Sequence, residues 1–147
     1  MKVLIIYNSV HHGNTEKITK VIADELKTKM VKPSDEEVSK WEEYDLIGFG
    51  SGIYFGKHHE SILQLVGKLP AVKGKKAFVF STSGVLRNYN KSLKAYLTAK
   101  GFQIVGDFSC KGLDTYGPMK LMGGINKGRP NEEDCQKALE FAQGLLE

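Results

Sequence analysis

Apolar residues alternate along the chain between short continuous runs and stripes at helical spacing, which predicts strands and helices in turn. Val3-Leu4-Ile5-Ile6-Tyr7 is a run of aliphatic and aromatic residues, as suits a strand buried on both faces in the middle of a parallel sheet. Behind it Ile18, Val21, Ile22 and Leu26 recur at helical spacing, with Lys17, Lys20, Asp24 and Lys27 opposite, predicting about four turns of amphipathic helix. Met30-Val31-Lys32 reads as a short strand stopped by Pro33. Ser34 and Glu37 fit a capping box that opens a short helix burying Val38 and Trp41.

The pattern then repeats. Asp45 to Ser51 is a second buried strand, ending in the loop Gly52-Ile53-Tyr54-Phe55-Gly56-Lys57, where Gly50, Gly52 and Gly56 are expected to allow positive φ. Ile62, Leu63, Leu65, Val66 and Leu69 mark a helix stopped by Pro70. Lys75 to Ser81 is the next strand, with Ser81-Thr82-Ser83-Gly84 as a small polar loop at its end. Leu93, Tyr96 and Leu97 mark a helix closing at Gly101, and Phe102 to Ser109 is the last strand. The stretch from Cys110 to Pro130 is long for a connection in a compact domain. Acidic residues after Pro130 start a final helix whose apolar face includes Cys135, Ala138, Leu139, Phe141, Ala142 and Leu145, so Cys135 is expected to be buried and inert.

Strands alternating with helices predict an α/β, doubly wound three-layer sandwich with a five-stranded parallel sheet and right-handed crossovers. No repeat or linker divides the 147 residues, so one domain spanning 1–147 is expected. Ligands of such folds sit at the carboxyl ends of the strands. There the loop after the first strand meets the start of a helix, whose unpaired N–H groups and dipole, with Ser9, Asn14 and Thr15 nearby, make an anion site suited to a phosphate.

Composition narrows the function. Two cysteines give neither a disulfide framework nor a Cys-x-x-Cys motif. The net charge of +4, from 21 basic and 17 acidic residues, is mild, and no nucleic-acid motif accompanies it. The run Val3–Tyr7 is too short for a membrane span and no signal-cleavage pattern follows it, so a cytoplasmic location is expected. The acidic cluster of a response-regulator receiver, the cysteine and arginine of a low-molecular-weight phosphatase loop and the Gly-x-Ser-x-Gly elbow of a hydrolase are all missing from their required places. The pairs His11-His12 and His58-His59 have no carboxylate or thiolate at ligand spacing, so no metal site is expected.

Ile5-Ile6-Tyr7-Asn8-Ser9 running into Gly13-Asn14-Thr15, then Gly50-Ser51-Gly52-Ile53-Tyr54, then Ser81-Thr82-Ser83-Gly84 resemble the flavodoxin family over nearly the whole chain. Phe108 to Gly112 and Gly123 to Pro130 look like a short flavodoxin-like subgroup. The resemblance implies strand order 2-1-3-4-5 and an FMN cofactor. Ser9, Gly13, Asn14 and Thr15 would be phosphate ligands, joined by His11 or His12, which stand where the family has a shorter loop. Ser51, Gly52, Ile53, Tyr54, Phe55 and Gly56 would flank the isoalloxazine ring, with Tyr54 or Phe55 covering its face. Ser81, Thr82, Ser83 and Gly84 would present backbone donors to its polar edge. Tyr89, Tyr116 and Met119 are weaker stacking candidates, and Cys110 is read as a small buried hydrophobe near that edge. His58-His59 reads as a polar helix start at the rim or a contact to flavin or substrate.

The implied function is a soluble electron carrier between redox enzymes, with FMN doing the chemistry and no catalytic residue required. The alternative is an FMN-dependent oxidoreductase acting on a quinone or other small acceptor, because Gly52 to His59 also resembles, more loosely, the menaquinone-dependent protoporphyrinogen oxidases. Lys57, Lys111, Lys120, Lys127 and Arg129 are expected at the flavin end, favouring redox partners with acidic docking faces and a less negative flavin potential. The sequence leaves the oligomeric state open.

Overall fold

The computed structural model describes residues 1–10, 13–112 and 128–147. The elements are β1 (Val3–Asn8), α1 (Asn14–Leu26), β2 (Lys29–Val31), a 3-10 segment (Glu36–Glu43), β3 (Leu46–Tyr54), β4 (Lys57–His58), α2 (Glu60–Lys68), β5 (Lys76–Ser83), α3 (Asn90–Ala99), β6 (Gln103–Lys111) and α4 (Glu132–Leu145). Five strands pair in parallel in the order β2-β1-β3-β5-β6, while the two-residue β4 folds back antiparallel on β3. Leaving β4 aside, this is the expected 2-1-3-4-5 order.

The apolar runs explain why the sheet is central. Leu4, Ile6, Ile47, Phe49, Ala77 and Val79 face α2, α3 and the 3-10 segment, where Ile62, Val66, Leu93, Leu97, Val38 and Trp41 meet them. Val3, Ile5, Tyr7, Leu46, Phe78 and Phe80 face Ile18, Ile22 and Leu26 of α1 and Ala138 and Ala142 of α4. Both faces are thus covered, each fully buried aliphatic or aromatic side chain contributing about 1.5–3 kcal/mol.

Several boundaries differ from the expected ones, each for a local reason. The ladder pairs Gly52 with Thr82, Thr82 with Cys110 and Ser83 with Lys111, so β3 and β5 run on past the end of their apolar runs. Gly52, Ile53 and Tyr54, and Thr82 and Ser83, are therefore strand residues and not loop, as is Ser81, which the expected strand already includes. The Asp35 carboxylate, not Ser34, accepts the Glu37 N–H at 2.8 Å, and Lys40 leaves helical geometry, so a 3-10 segment forms in place of an α-helix. β2 begins at Lys29 and ends before Lys32. Cys135 is only partly buried, one turn short of the Ala138–Ala142 contact at the centre of α4.

Gly50 has a different reason from the one expected. It sits within β3 without positive φ, and a Cβ there would lie 2.2 Å from the Phe80 ring. Of the three glycines assigned to the loop, only Gly56 has positive φ, at 80°, and Phe55 beside it takes the same left-handed region at 53°.

Candidate functional site

At the carboxyl end of the sheet the register aligns Asn8, Ser51, Ser81 and Ser109 across β1, β3, β5 and β6. Here the apolar rows give way to small polar ones. Ser51 and Ser81 are almost fully buried, as is Asn90 of α3, whose amide donates to Ser109 Oγ at 3.2 Å and to the Phe108 carbonyl at 3.1 Å. Asn8 Oδ1, Ser81 Oγ and Asn90 Oδ1 are buried and without a hydrogen-bond partner among the described residues. Thr82, one residue on, turns to the other face, and its hydroxyl meets that of Thr15 at 2.8 Å.

The β1–α1 connection places the start of a 13-residue helix at this edge. Gly13 is its N-cap, with φ 65° and no side-chain cap, and a Cβ there would meet nothing within 4 Å. Helix geometry leaves the first N–H groups without intrahelical acceptors. Ser9 Oγ accepts that of Glu16 at 3.1 Å. The Glu16 carboxylate accepts the Tyr7 phenol at 2.9 Å, and burial, then this hydrogen bond, push the phenol up to about 12. Thr15 shares its buried hydroxyl with that of Thr82, where either can be the donor. Gly112, at the end of β6, closes on the same place, since a Cβ on it would lie 2.5 Å from Asn14 Nδ2.

The β3–β4 hairpin forms the opposite wall. Ile53 pairs with His58 and Tyr54 with Lys57, leaving Phe55 and Gly56 as the tip. The Tyr54 ring stands edge-on to His59 with centroids 5.2 Å apart. Burial raises the Tyr54 phenol and the Val10 N–H hydrogen bond partly offsets this, a contact linking the hairpin to the β1–α1 loop. Phe55 is 94% exposed. His59 caps α2: its Nδ1 accepts the Ser61 N–H at 3.1 Å, and its own N–H donates to Ser51 Oγ at 2.8 Å.

His58 is not at the rim. It is 3% exposed, its Nε2–H donates to the Phe80 carbonyl at 3.0 Å, and burial pushes the imidazole down to about 4. Two adjacent histidines carry no periodic signal, so only the hairpin register tells the buried one from the capping one. The Thr15–Thr82 and Tyr7–Glu16 contacts were likewise invisible, although the polar residues ending each apolar run were a clue to them.

The structure thus brings Ser9, Gly13, Asn14 and Thr15 to one side of the carboxyl edge. Ser51 to Gly56 and Ser81 to Gly84 stand along the rest of it, Ser51, Ser81 and Thr82 being buried beneath the rim that Ser83 and Gly84 reach. Cys110 is buried in β6, and burial, then the Asp134 carboxylate, push its thiol up to about 12. His11, His12, Tyr116, Met119, Lys120 and Lys127 lie outside the described residues.

Three comparisons bear on this arrangement. The family model described as a flavodoxin domain matches residues 4–113. The uncharacterized protein MJ0298 of Methanocaldococcus jannaschii is 52% identical over 149 residues, covering 99% of this chain and 99% of that protein. The fold is that of oxidised flavodoxin 2 from Bacillus cereus, with a TM-score of 0.75 at 20% identity over 99% of this chain and 98% of that one. It is also that of an NADPH-quinone reductase from P. pentosaceus, with a TM-score of 0.66 at 10% identity over 99% and 97%.

Proposed function

The chain belongs to the flavodoxin-domain family, and from that premise we propose that it binds FMN and carries electrons between redox proteins of the cytoplasm as a single domain. The observation that carries this reading is the tie between Thr15 and Thr82, which joins a helix start whose N-cap is a glycine to the strand end where small residues border the edge. The residues fit the group. Ser9 and the N–H groups of the Gly13–Thr15 turn would hold the phosphate, with the open surface at Gly13 leaving room for it. The Gly52–Gly56 hairpin and Ser83–Gly84 would border the ring. Bound FMN supplies the redox chemistry.

The chain's own contribution is orientation and electrostatics. The Tyr7 hydrogen bond fixes the position of the Glu16 carboxylate, the one acid in the first turn of α1. Ser51 and His59 fix the base of the hairpin, and Gly56 gives its tip the backbone freedom to adjust beside a ring. The test is an absorption spectrum of the purified protein with identification of the released cofactor, followed by reconstitution and stepwise reduction. A yellow protein that retains FMN and exchanges single electrons with protein partners is expected. A colourless protein that cannot be loaded with FMN overturns the reading.

A second reading, an FMN-dependent oxidoreductase acting on a quinone, draws on Phe55, whose exposed ring at the hairpin tip offers a flat apolar acceptor a surface to stack on. Rapid turnover of NADH and a soluble quinone by the purified protein alone would favour it over the carrier.

A further inference from the structure

The rim of this edge has a composition unlike the core beneath it. Val10, Phe55, Val85 and Leu86, exposed by 40, 94, 49 and 47%, all lie on loops that open there: β1–α1, the hairpin tip and β5–α3. They account for half of the eight large hydrophobic residues exposed among the described residues. Exposed apolar residues gathered at one end of a sheet are of the kind that marks an interaction site.

Among the described residues, the charges interleaved with these apolar residues are of one sign. Residues 52–59 and 83–91 contain Lys57, Arg87 and Lys91 and no aspartate or glutamate, and Lys111 ends β6 beside Ser83. None of these four cations pairs with a carboxylate among the described residues. Lys94, one turn further along α3, does pair, with Asp107 at 3.4 Å. Among the described residues, the acidic residues on the helix starts at this end are Glu16 of α1, Glu60 of α2 and Glu132, Glu133 and Asp134 of α4, of which Glu16 is held by Tyr7 and Asp134 by Arg129. The hairpin tip, the β5–α3 loop and the end of β6 thus form an apolar centre with a cationic border.

We propose that this rim, Phe55, Val85 and Leu86 bordered by Lys57, Arg87, Lys91 and Lys111, is the docking face for an electron-transfer protein whose own face is acidic. The assignment rests on the carrier reading above. Its occupant follows from charge complementarity: unpaired cations steer an anionic partner into place, and the apolar residues are covered once it arrives. A basic partner would meet four unpaired positive charges and be repelled.

The test uses the FMN-loaded protein, isotopically labelled, and two oxidised probes, so that no electron moves during binding. One is an acidic plant-type two-iron ferredoxin, the other the basic cytochrome c. Ferredoxin is expected to shift amide signals in 55–57 and 84–91, with affinity falling by about tenfold or more between about 20 and about 300 mM salt. Cytochrome c should leave those signals in place. The double variant R87E/K91E should lose at least about tenfold in ferredoxin affinity while keeping its FMN content and its spectrum. The proposal is overturned if cytochrome c binds this face more tightly, if the ferredoxin shifts fall on the α1 and α4 starts, or if R87E/K91E binds like the parent. Absence of FMN from every preparation would instead overturn the carrier reading, and the spectrum recorded before each titration separates the two failures.

Discussion

The hydroxyls of Thr15 and Thr82 lie 2.8 Å apart in a buried contact that joins the first turn of α1 to the carboxyl end of β5. Sixty-seven residues separate them in sequence. The pair ties the helix start to the sheet edge, linking the proposed phosphate side of the site to its ring side.

Removing one hydroxyl leaves the other buried without this partner, at a cost of about 1–3 kcal/mol, whereas removing both is closer to neutral because no unmet polar group remains. T82V and T15V should therefore each unfold at lower urea concentration than the T15V/T82V double variant. A double variant as unstable as the sum of the singles would show that the two groups are not coupled.

His58 makes stability depend on pH. Its folded-state value of about 4 lies below the ordinary 6.5, so between these values the unfolded chain binds more protons than the folded one. Stability is then full above the ordinary value and falls as the pH drops towards the folded one, by roughly 3 kcal/mol in all. Urea unfolding at a series of pH values should show this loss between about pH 6.5 and 4, and H58Q should flatten that part of the profile. An unchanged slope in H58Q would assign the loss to other groups.

The fold was largely legible because its central strands are buried on both faces. Val3, Ile5 and Tyr7 meet one helical layer and Leu4 and Ile6 the other, which is what an unbroken apolar run in a parallel sheet encodes. The site was legible in its members but less so in their roles. Thr82 and Ser83 follow an apolar run and read as loop, yet backbone pairing to Gly52 and Lys111 continues regardless of side-chain polarity. Gly50 read as a position for positive φ, although its lack of a side chain makes room for a ring on the neighbouring strand. His58 differs from His59 only through cross-strand register, a relation between two backbones that residue type does not encode.

Arg129 and Asp134 provide a third test. The guanidinium contacts both carboxylate oxygens, at 2.5 and 2.6 Å, while Asp134 also completes the Asn131 capping box of α4. Burial opposes ionisation of Asp134, but the Arg129 hydrogen bonds and the Asn131 N–H offset it and hold the carboxyl below its ordinary range. R129M strands a buried carboxylate and should cost roughly 3 kcal/mol. Because a depressed carboxyl contributes stability above its ordinary value and loses it as pH falls through the folded one, R129M should also make the acid-side decline shallower. Thermal unfolding at neutral and acid pH reads both effects.

Gly50 separates two opposing consequences of adding one methyl group. In a strand, alanine should be favoured over glycine by about 0.5–1 kcal/mol through the smaller entropy lost on folding. A Cβ at this position, however, would lie 2.2 Å from Phe80, whose ring is fully buried and packed at 6.0 Å centroid distance against Phe78. Overpacking of this kind costs about 1–3 kcal/mol, so the clash should win and G50A should be destabilised. Trimming the ring removes the obstacle. Measured by urea unfolding, G50A in an F80L background should therefore be less harmful than G50A alone, with the coupling read from the double-mutant cycle. Strict additivity of the two substitutions would mean that the β3 backbone yields to the added methyl group and that Phe80 does not enforce the glycine.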